Sequence, residues 1–345
     1  MTVRLPRAAL LLLSVLCLFA SRARADLVWT PQTGWRIEGG ALTGLVGTEG
    51  RVALDMMNKA RADEERGSVG SAIKLYTKVT KRYASSIYAP EAYYRLAKLR
   101  LGRHQYFKAF DAYQAIINHY PSEKRFTEII DAEYRIATAL LDGARNRLWG
   151  LFPLFTNRQR GAEYCGLILA NAPYSDYAPL ALMNMARTDQ YLDKQEDAID
   201  ALDHLVNTYQ QSVLAPEAYL RLAQVHSSLV AGPYYDQGET KQAITYYEDF
   251  MILYPGDPKI ASAADGVDRM KSILAESKIK IGDFYFYKRD NYTAARVFYN
   301  EAITSYPDSP VADRARSRLA EVEAKAAGTP LPTAPGTKKK HFFFF

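Results

Sequence analysis

The chain has 345 residues, 48% hydrophobic and 24% charged, an ordinary globular composition with enough apolar residues to build a core. Its net charge of +6 comes mostly from the first 25 residues, which hold Arg4, Arg7, Arg22 and Arg24 and no acid; beyond them 40 basic side chains face 38 acidic ones. A body so close to neutral gives no electrostatic case for nucleic acid, and its single cysteine, Cys165, excludes an intramolecular disulfide there.

At the N-terminus, Arg4 and Arg7 precede an apolar run from Ala8 to Ala20, and Ala23-Arg24-Ala25 places small residues where a signal peptidase reads. The run is about 13 residues long, short of the ~20 needed to span a bilayer, so residues 1–25 read as a cleaved secretory signal. Two alternatives stay open: acylation at Cys17, against which bulky Leu16 stands, and an uncleaved anchor. Residues 26–50, with Val28-Trp29, Gly34-Trp35 and Gly39-Gly40, lack helical periodicity. They predict an extended or short-strand cap whose two tryptophans cover the end of the first repeat.

Helices are expected from residue 51 to 320, and they are repetitive. Ala89-Pro-Glu-Ala-Tyr-Tyr-Arg-Leu-Ala97 returns as Ala215-Pro-Glu-Ala-Tyr-Leu-Arg-Leu-Ala223. A second pattern places an alanine, an apolar or aromatic residue four on, and a tyrosine seven further. It occurs at Ala72/Tyr76/Tyr83, Ala109/Tyr113/Tyr120, Ala198/Leu202/Tyr209, Ala243/Tyr247/Tyr254 and Ala295/Tyr299/Tyr306, with a degenerate copy from Ala162 to Pro173. The intervals, 36 to 53 residues, fit a unit near the ~34-residue tetratricopeptide period with insertions in some copies. Each unit reads as two helices. Pairs such as Leu96-Ala97, Met185-Ala186 and Leu222-Ala223 mark the close approach of the first helix to its partner, and the second helix sets alanine and tyrosine on one face. One helix pair cannot bury its apolar face alone, so the expected fold is all-α: a right-handed superhelical solenoid of about five tetratricopeptide-like pairs. The tyrosines at repeat positions are expected to pack with their hydroxyls at a wet edge, and Cys165 falls on a buried helical position.

Two insertions interrupt the pattern. Leu148-Trp149-Gly-Leu-Phe-Pro-Leu-Phe155 is very apolar for a loop; its leading reading is a segment folded back over the helices, and its alternative is a partner or membrane-surface contact through Trp149, Phe152 and Phe155. Gly232 to Gly238 lengthens a later turn. Residues 321–345 begin as the end of a helix and pass into a Pro/Gly-rich linker composition, predicting a disordered tail that ends in Lys338-Lys-Lys340, His341 and Phe342 to Phe345.

Catalytic machinery is not visible. There is no phosphate-binding loop, Gly-x-Ser-x-Gly or His-Glu-x-x-His, and His104, His119, His204, His226 and His341 show no ligand spacing. The reading is a non-enzymatic scaffold with no catalytic residue, metal site or cofactor. The first helix of a tetratricopeptide unit lines the concave face, so Tyr94, Lys98, Leu101, Tyr134, Met183 and Arg187 are the candidates for an extended-peptide groove. Near the C-terminus Lys288, Arg289 and Arg296 accompany a dense aromatic set that includes Phe298 and Tyr299, an interface-like composition that makes these five residues candidates for partner docking.

Three phrases carry a resemblance: Ala84-Ser-Ser-Ile-Tyr-Ala-Pro-Glu-Ala92; Tyr235-Asp-Gln-Gly-Glu-Thr-Lys-Gln-Ala-Ile-Thr-Tyr-Tyr-Glu-Asp-Phe250; and Tyr287-Lys-Arg-Asp-Asn-Tyr-Thr-Ala-Ala-Arg296 with Tyr306-Pro-Asp-Ser-Pro310. Over residues 51 to 320 the chain resembles the BamD family, the tetratricopeptide subunits of the outer-membrane β-barrel assembly machinery. The resemblance implies a periplasmic scaffold at the inner face of the outer membrane, with peripheral membrane association. Its C-terminal repeats would dock the barrel assembly subunit and its N-terminal repeats would meet unfolded outer-membrane proteins. The chain departs from that family in lacking a recognisable acylation site and in placing Phe298 where an arginine is usual, with Arg296 two residues earlier. The other reading is an exported tetratricopeptide adaptor of another envelope system, such as cell-wall synthesis or division.

Overall fold

The computed structural model describes residues 26–38 and 48–328. The signal-like segment with Cys17, the Gly39-Gly40 pair and the Lys-His-Phe tail lie outside the described residues. Contacts divide the chain into two compact units, residues 1–178 and 179–345.

Unit 1 opens on an antiparallel hairpin of β1 (Asp26–Thr30) and β2 (Gly34–Glu38), with Trp29 opposite Trp35. Alternation puts one side of each strand on the helices that follow. Trp35 is buried among Met57, Tyr76 and Leu96, with Leu27, Trp29 and Ile37 packed around that core. Its backbone N–H donates to Asn58 Oδ1 at 2.6 Å, and the Arg61 guanidinium lies 4.5 Å over Trp29. Six helices follow: α1 (Thr48–Glu65), α2 (Val69–Arg82), α3 (Ala89–Gly102), α4 (Tyr106–His119), α5 (Phe126–Leu141) and α6 (Arg158–Asn171). Helix α7 (Tyr177–Tyr191) starts at the boundary, and unit 2 continues with α8 (Gln195–Thr208), α9 (Ala215–Leu229), α10 (Gly238–Leu253), α11 (Ile260–Arg289), α12 (Tyr292–Ser305) and α13 (Pro310–Ala326). The fold is an all-α repeat array of helix pairs, with two short β-hairpins among the described residues.

The repeat positions explain the packing. Ala72, Ala109, Ala198, Ala243 and Ala295 are all fully buried, and four residues on, one helical turn along the same face, Tyr76, Tyr113, Leu202, Tyr247 and Tyr299 are buried too. The third position ends the helix: Tyr83, Tyr120, Tyr209, Tyr254 and Tyr306 are the C-cap residues of α2, α4, α8, α10 and α12. Where the Tyr247 and Tyr299 rings land on α11, that helix is cut back to glycine. A Cβ added at Gly266 would stand 2.5 Å from the Tyr247 ring, and one at Gly282 would stand 2.6 Å from the Tyr299 ring. Several helices start at side-chain caps or prolines that mark where one helix ends and the next begins. Asn157, Asn291 and Ser309 accept the N–H of Arg160, Ala294 and Ala312, and proline at the start of α3, α9 and α13 gives up an N–H that a helix leaves unpaired anyway.

Several tyrosine hydroxyls donate to carboxylates, among them those of the repeat tyrosines Tyr76 and Tyr299, expected at a wet edge. Tyr76 reaches Glu64 at 3.0 Å, Tyr177 Asp131 at 2.8 Å, Tyr246 Asp203 at 2.6 Å and Tyr299 Asp283 at 2.7 Å. A charge-assisted bond of this kind is stronger than one to water, so these tyrosines fix helix register as well as filling space. Burial, reinforced by the carboxylates, pushes the Tyr76 and Tyr299 hydroxyls far above the ordinary phenol range. Cys165 is buried as expected, and burial pushes its thiol up to about 12.

Helix α11 accounts for the long interval before the last repeat. Its first half packs Ala263, Val267 and Met270 against Tyr247 and Phe250, and its second half packs Ala275, Ile279 and Phe286 against Ala295 and Tyr299. It ends at Asp290, which takes a left-handed conformation (φ 47°) and directs the next N–H, of Asn291, back to Tyr285 O at 3.0 Å.

The apolar insertion is the clear departure from expectation. It forms a hairpin of β3 (Arg145–Leu148) and β4 (Phe152–Thr156), and it does not fold back over the helices. Trp149, Leu151, Phe152 and Phe155 are 64%, 67%, 60% and 95% exposed. A cover would have removed those side chains from water; here the strands are joined to the helices through backbone and polar contacts, so the apolar groups remain outside.

Candidate protein-binding surfaces

In unit 1 the returning phrase builds a ladder of charge. Glu91 and Arg95 stand one turn apart on α3 and bond at 2.7 Å. Arg95 also reaches Glu64 of α1 at 3.4 Å, while Arg125, just before α5, reaches Glu91 at 2.6 Å and Glu123 at 2.9 Å. Burial alone would lower the pKa of Arg125, but the two carboxylates outweigh it and raise it further. The second copy of the phrase does the same in unit 2. Glu217 and Arg221 pair at 2.8 Å on α9, Arg187 of α7 joins Glu217 at 3.0 Å, and Arg221 donates to Gln190 at 3.2 Å. Burial works against the Glu217 carboxylate, yet the two arginines hold it below its usual range. These rungs tie first helices to first helices, a role for Glu64, Glu91, Arg95, Arg125, Glu217 and Arg221 that the sequence reading missed. The signal was present as Glu-x-x-x-Arg within both copies.

The groove candidates separate into two kinds. Tyr94 is buried: its hydroxyl donates to Glu128, its ring meets Tyr113 edge-on at 6.2 Å, and the Arg125 guanidinium lies 4.1 Å over its face. Met183 is buried within α7 packing. Neither offers a side chain to a ligand, because both spend their surface on the chain itself. Lys98 is exposed, with its ammonium 5.3 Å from the Tyr94 ring and no carboxylate partner among the described residues. Leu101 and Tyr134 are half-buried, Tyr134 tilted on Tyr177 at 5.1 Å. Arg187 is exposed but engaged by Glu217.

The docking candidates divide in the same way. Tyr299 is fully buried, and Phe298 is half-buried, stacked parallel on Tyr285 at 5.5 Å with Lys278 above it. These rings belong to the packing of α11 on α12. Lys288, Arg289 and Arg296 are exposed and have no carboxylate partner among the described residues. Arg289 lies 5.2 Å over Phe284, itself 46% exposed, so the last turn of α11 presents cations and an aromatic ring to solvent. The electronegative end of the helix favours cations at that place. Trp149, Phe152 and Phe155 lie together on the β3–β4 hairpin.

Among the described residues no group of three or more His, Cys, Asp or Glu side chains is arranged to hold a metal ion, and no helix is long and apolar enough to cross a membrane. The polar clusters described above are structural pairs, in which the acids face arginines or tyrosine hydroxyls.

The tetratricopeptide repeat profile matches residues 91–122, 217–257 and 276–309. Those stretches are α3 with α4, α9 with α10, and the second half of α11 with α12, so the chain carries tetratricopeptide repeats where the structure has its helix pairs. Similar solved structures include a tetratricopeptide repeat protein from Parabacteroides merdae (10% identity, 78% of this chain and 99% of that one, TM-score 0.30). They also include the C-terminal part of a repeat-containing protein from Cytophaga hutchinsonii (17%, 76% and 85%, 0.30) and a thermophilic repeat protein of Thermus thermophilus (16%, 62% and 98%, 0.27). Comparison with curated proteins finds no match. Tetratricopeptide arrays are scaffolds for protein–protein contact, which is the class of protein that this fold and these surfaces define.

Proposed function

We propose that the chain is an exported scaffold that holds extended protein segments on unit 1 and a folded partner on unit 2, working in outer-membrane β-barrel assembly as its resemblance to the BamD family implies. The observation that carries the scaffold reading is the division of labour along the first helices. The Glu–Arg ladder consumes the inner charges, while Lys98 is left without a carboxylate on the same helix. Lys98, Leu101 and Tyr134 then supply a cation, an aliphatic edge and a ring, chemistry suited to a peptide carbonyl or carboxylate and to varied apolar side chains. On unit 2, Lys288, Arg289 and Arg296 suit an acidic face of a partner such as the barrel assembly subunit.

The test uses labelled extended peptides from outer-membrane barrel proteins. Lys98→Glu combined with Tyr134→Ala is expected to weaken binding about tenfold, equivalent to ~1.4 kcal/mol, with a melting temperature within a degree or two of wild type for Lys98→Glu alone. Unchanged affinity in the double variant rules the unit 1 surface out.

A second experiment concerns the partner. Reversing Lys288, Arg289 and Arg296 to glutamate is expected to reduce co-purification of an envelope partner roughly five- to thirty-fold at low salt, with the difference shrinking as salt rises, because exposed charges act mainly on encounter and are screened. Recovery of the partner at wild-type level in moderate salt removes this end from the interface. Identification of the co-purified protein separates barrel assembly from cell-wall synthesis or division.

A further inference from the structure

The β3–β4 hairpin has an architecture that neither the repeat packing nor the peptide surface requires. Every residue of β4, Phe152 to Thr156, is exposed. Side chains alternate between the faces of a strand, so both faces of β4 are in water and neither lies on the helices. The tip adds Trp149 and Leu151, and the Trp149 ring meets only Phe152, edge-on at 6.4 Å, among the ring contacts of the described residues.

The hairpin is held along β3 and at its turn by the α3–α4 connection and the start of α4. Arg147 N–H donates to His104 O at 2.8 Å, Asn146 Oδ1 accepts the Phe107 N–H at 3.2 Å, and Arg103 donates to Trp149 O at 2.6 Å. Trp149 (φ 53°) and Gly150 (φ 78°) both take the left-handed conformation that a tight hairpin turn demands. Glycine suits that conformation, but a tryptophan pays for it, and no buried contact of the indole offsets the cost. The fold therefore holds a large aromatic side chain out in solvent at a strained position.

Charge identifies what would cover it. From residue 143 to 162 the chain has four arginines, Arg145, Arg147, Arg158 and Arg160, and no aspartate or glutamate. Arg160 is neutralised by Glu163 at 2.9 Å, whereas Arg145 and Arg147 are exposed on β3 with no carboxylate partner among the described residues. Arg147 lies opposite Pro153, and Arg145 opposite Thr156, so the cations sit behind the apolar tip.

We infer that this hairpin is a wedge for the surface of a bilayer containing anionic phospholipid. Strands of four or five residues extend roughly 13–17 Å. Inserting the tip about 5–10 Å puts Trp149, Leu151 and Phe152 at the headgroup–acyl boundary, where tryptophan partitions well, and leaves Arg145 and Arg147, with Phe155 beside them, at the level of the phosphates. A protein partner covers one face of a hairpin more readily than both; a bilayer surrounds both at once.

The full chain is tested by flotation with vesicles of phosphatidylcholine alone and with phosphatidylglycerol added, and by quenching of tryptophan emission with brominated acyl chains. Because the apolar run from Ala8 to Ala20 can itself hold lipid, the deciding signal is the hairpin's own indole. Of the three tryptophans Trp35 is buried and Trp29 lies under Arg61, so quenching should be lost in Trp149→Phe. Arg145→Glu with Arg147→Glu should lower partitioning onto the anionic vesicles at least tenfold and have little effect on neutral ones, and Trp149→Ser with Phe152→Ser should lower it on both. Helical content and melting should hold in the serine variant, since both side chains are already in water; if that variant misfolds, the charge reversal and the Trp149 signal still decide. Wild-type quenching in Trp149→Phe, partitioning indifferent to both pairs of substitutions, or loss of a protein partner from the serine variant with vesicle binding intact would each overturn the inference.

Discussion

Tyr299→Ala is expected to destabilise unit 2 by ~3–5 kcal/mol, the range for truncating a large aromatic in a close-packed core. The ring is fully buried, lies on Gly282 of α11 and is packed among Ala295, Phe286 and Ile279. Its hydroxyl donates to Asp283 at 2.7 Å, and Asp283 in turn faces Arg318 of α13 at 3.6 Å, so one side chain links three helices. Tyr299→Phe keeps the ring and removes only the hydroxyl, for an expected loss of ~1–2 kcal/mol, softened because Arg318 still faces the carboxylate. Gly282→Ala should cost ~1–3 kcal/mol from the opposite side, since its methyl would press on the ring. Urea titration followed by circular dichroism measures all three. A Tyr299→Ala protein with wild-type stability but poor partner capture would restore Tyr299 to the docking surface.

Periodicity made the helical array legible because most repeats put the same three residues, or close equivalents such as Leu202, to the same three jobs. Ala72, Tyr76 and Tyr83 state the rule, and Ala295, Tyr299 and Tyr306 state it again 223 residues later with the same burial. The site was less legible because it is written in what packing leaves over. Tyr94 and Lys98 are neighbours on one helix turn and look alike as groove residues. Only the position of α5, which brings Glu128 and Arg125 onto Tyr94, removes one of them from solvent. Lys288 and Tyr299 part company for the same reason. The hairpin failed in the other direction: apolar composition pointed inwards, since burial is where such side chains normally gain free energy. Its orientation is decided by Arg103, His104 and Phe107, which lie 39 to 46 residues before their hairpin partners, and by a turn whose left-handed residues include a tryptophan.

The same rule of residual chemistry makes Glu133 a pH sensor of unit 1. This carboxyl, on α5, is fully buried and faces no cation among the described residues; the Gln114 amide of α4 donates to both its oxygens at 3.0 Å, and Asn171 of α6 donates to Gln114 Oε1 at 3.1 Å. Burial raises its pKa to about 8, and the amide bonds oppose the shift only in part. In the unfolded chain the group titrates near its ordinary value of 4.5. The folded state therefore keeps a proton that the unfolded state releases, so the stability contribution is complete below the unfolded value and is lost as pH climbs to about 8. The slope approaches ~1.4 kcal/mol per pH unit, and the whole window is worth roughly 3–5 kcal/mol. Melting temperature should accordingly fall from pH 5 to pH 9. Glu133→Gln removes the titration at a small constant cost, because its own amide group meets that of Gln114, which cannot turn over without breaking its bond from Asn171. The two stability curves should therefore cross, with wild type the more stable at pH 5 and the glutamine variant the more stable at pH 9. Parallel curves would mean that the carboxyl is ionised in the fold at neutral pH, with water or a cation beside it.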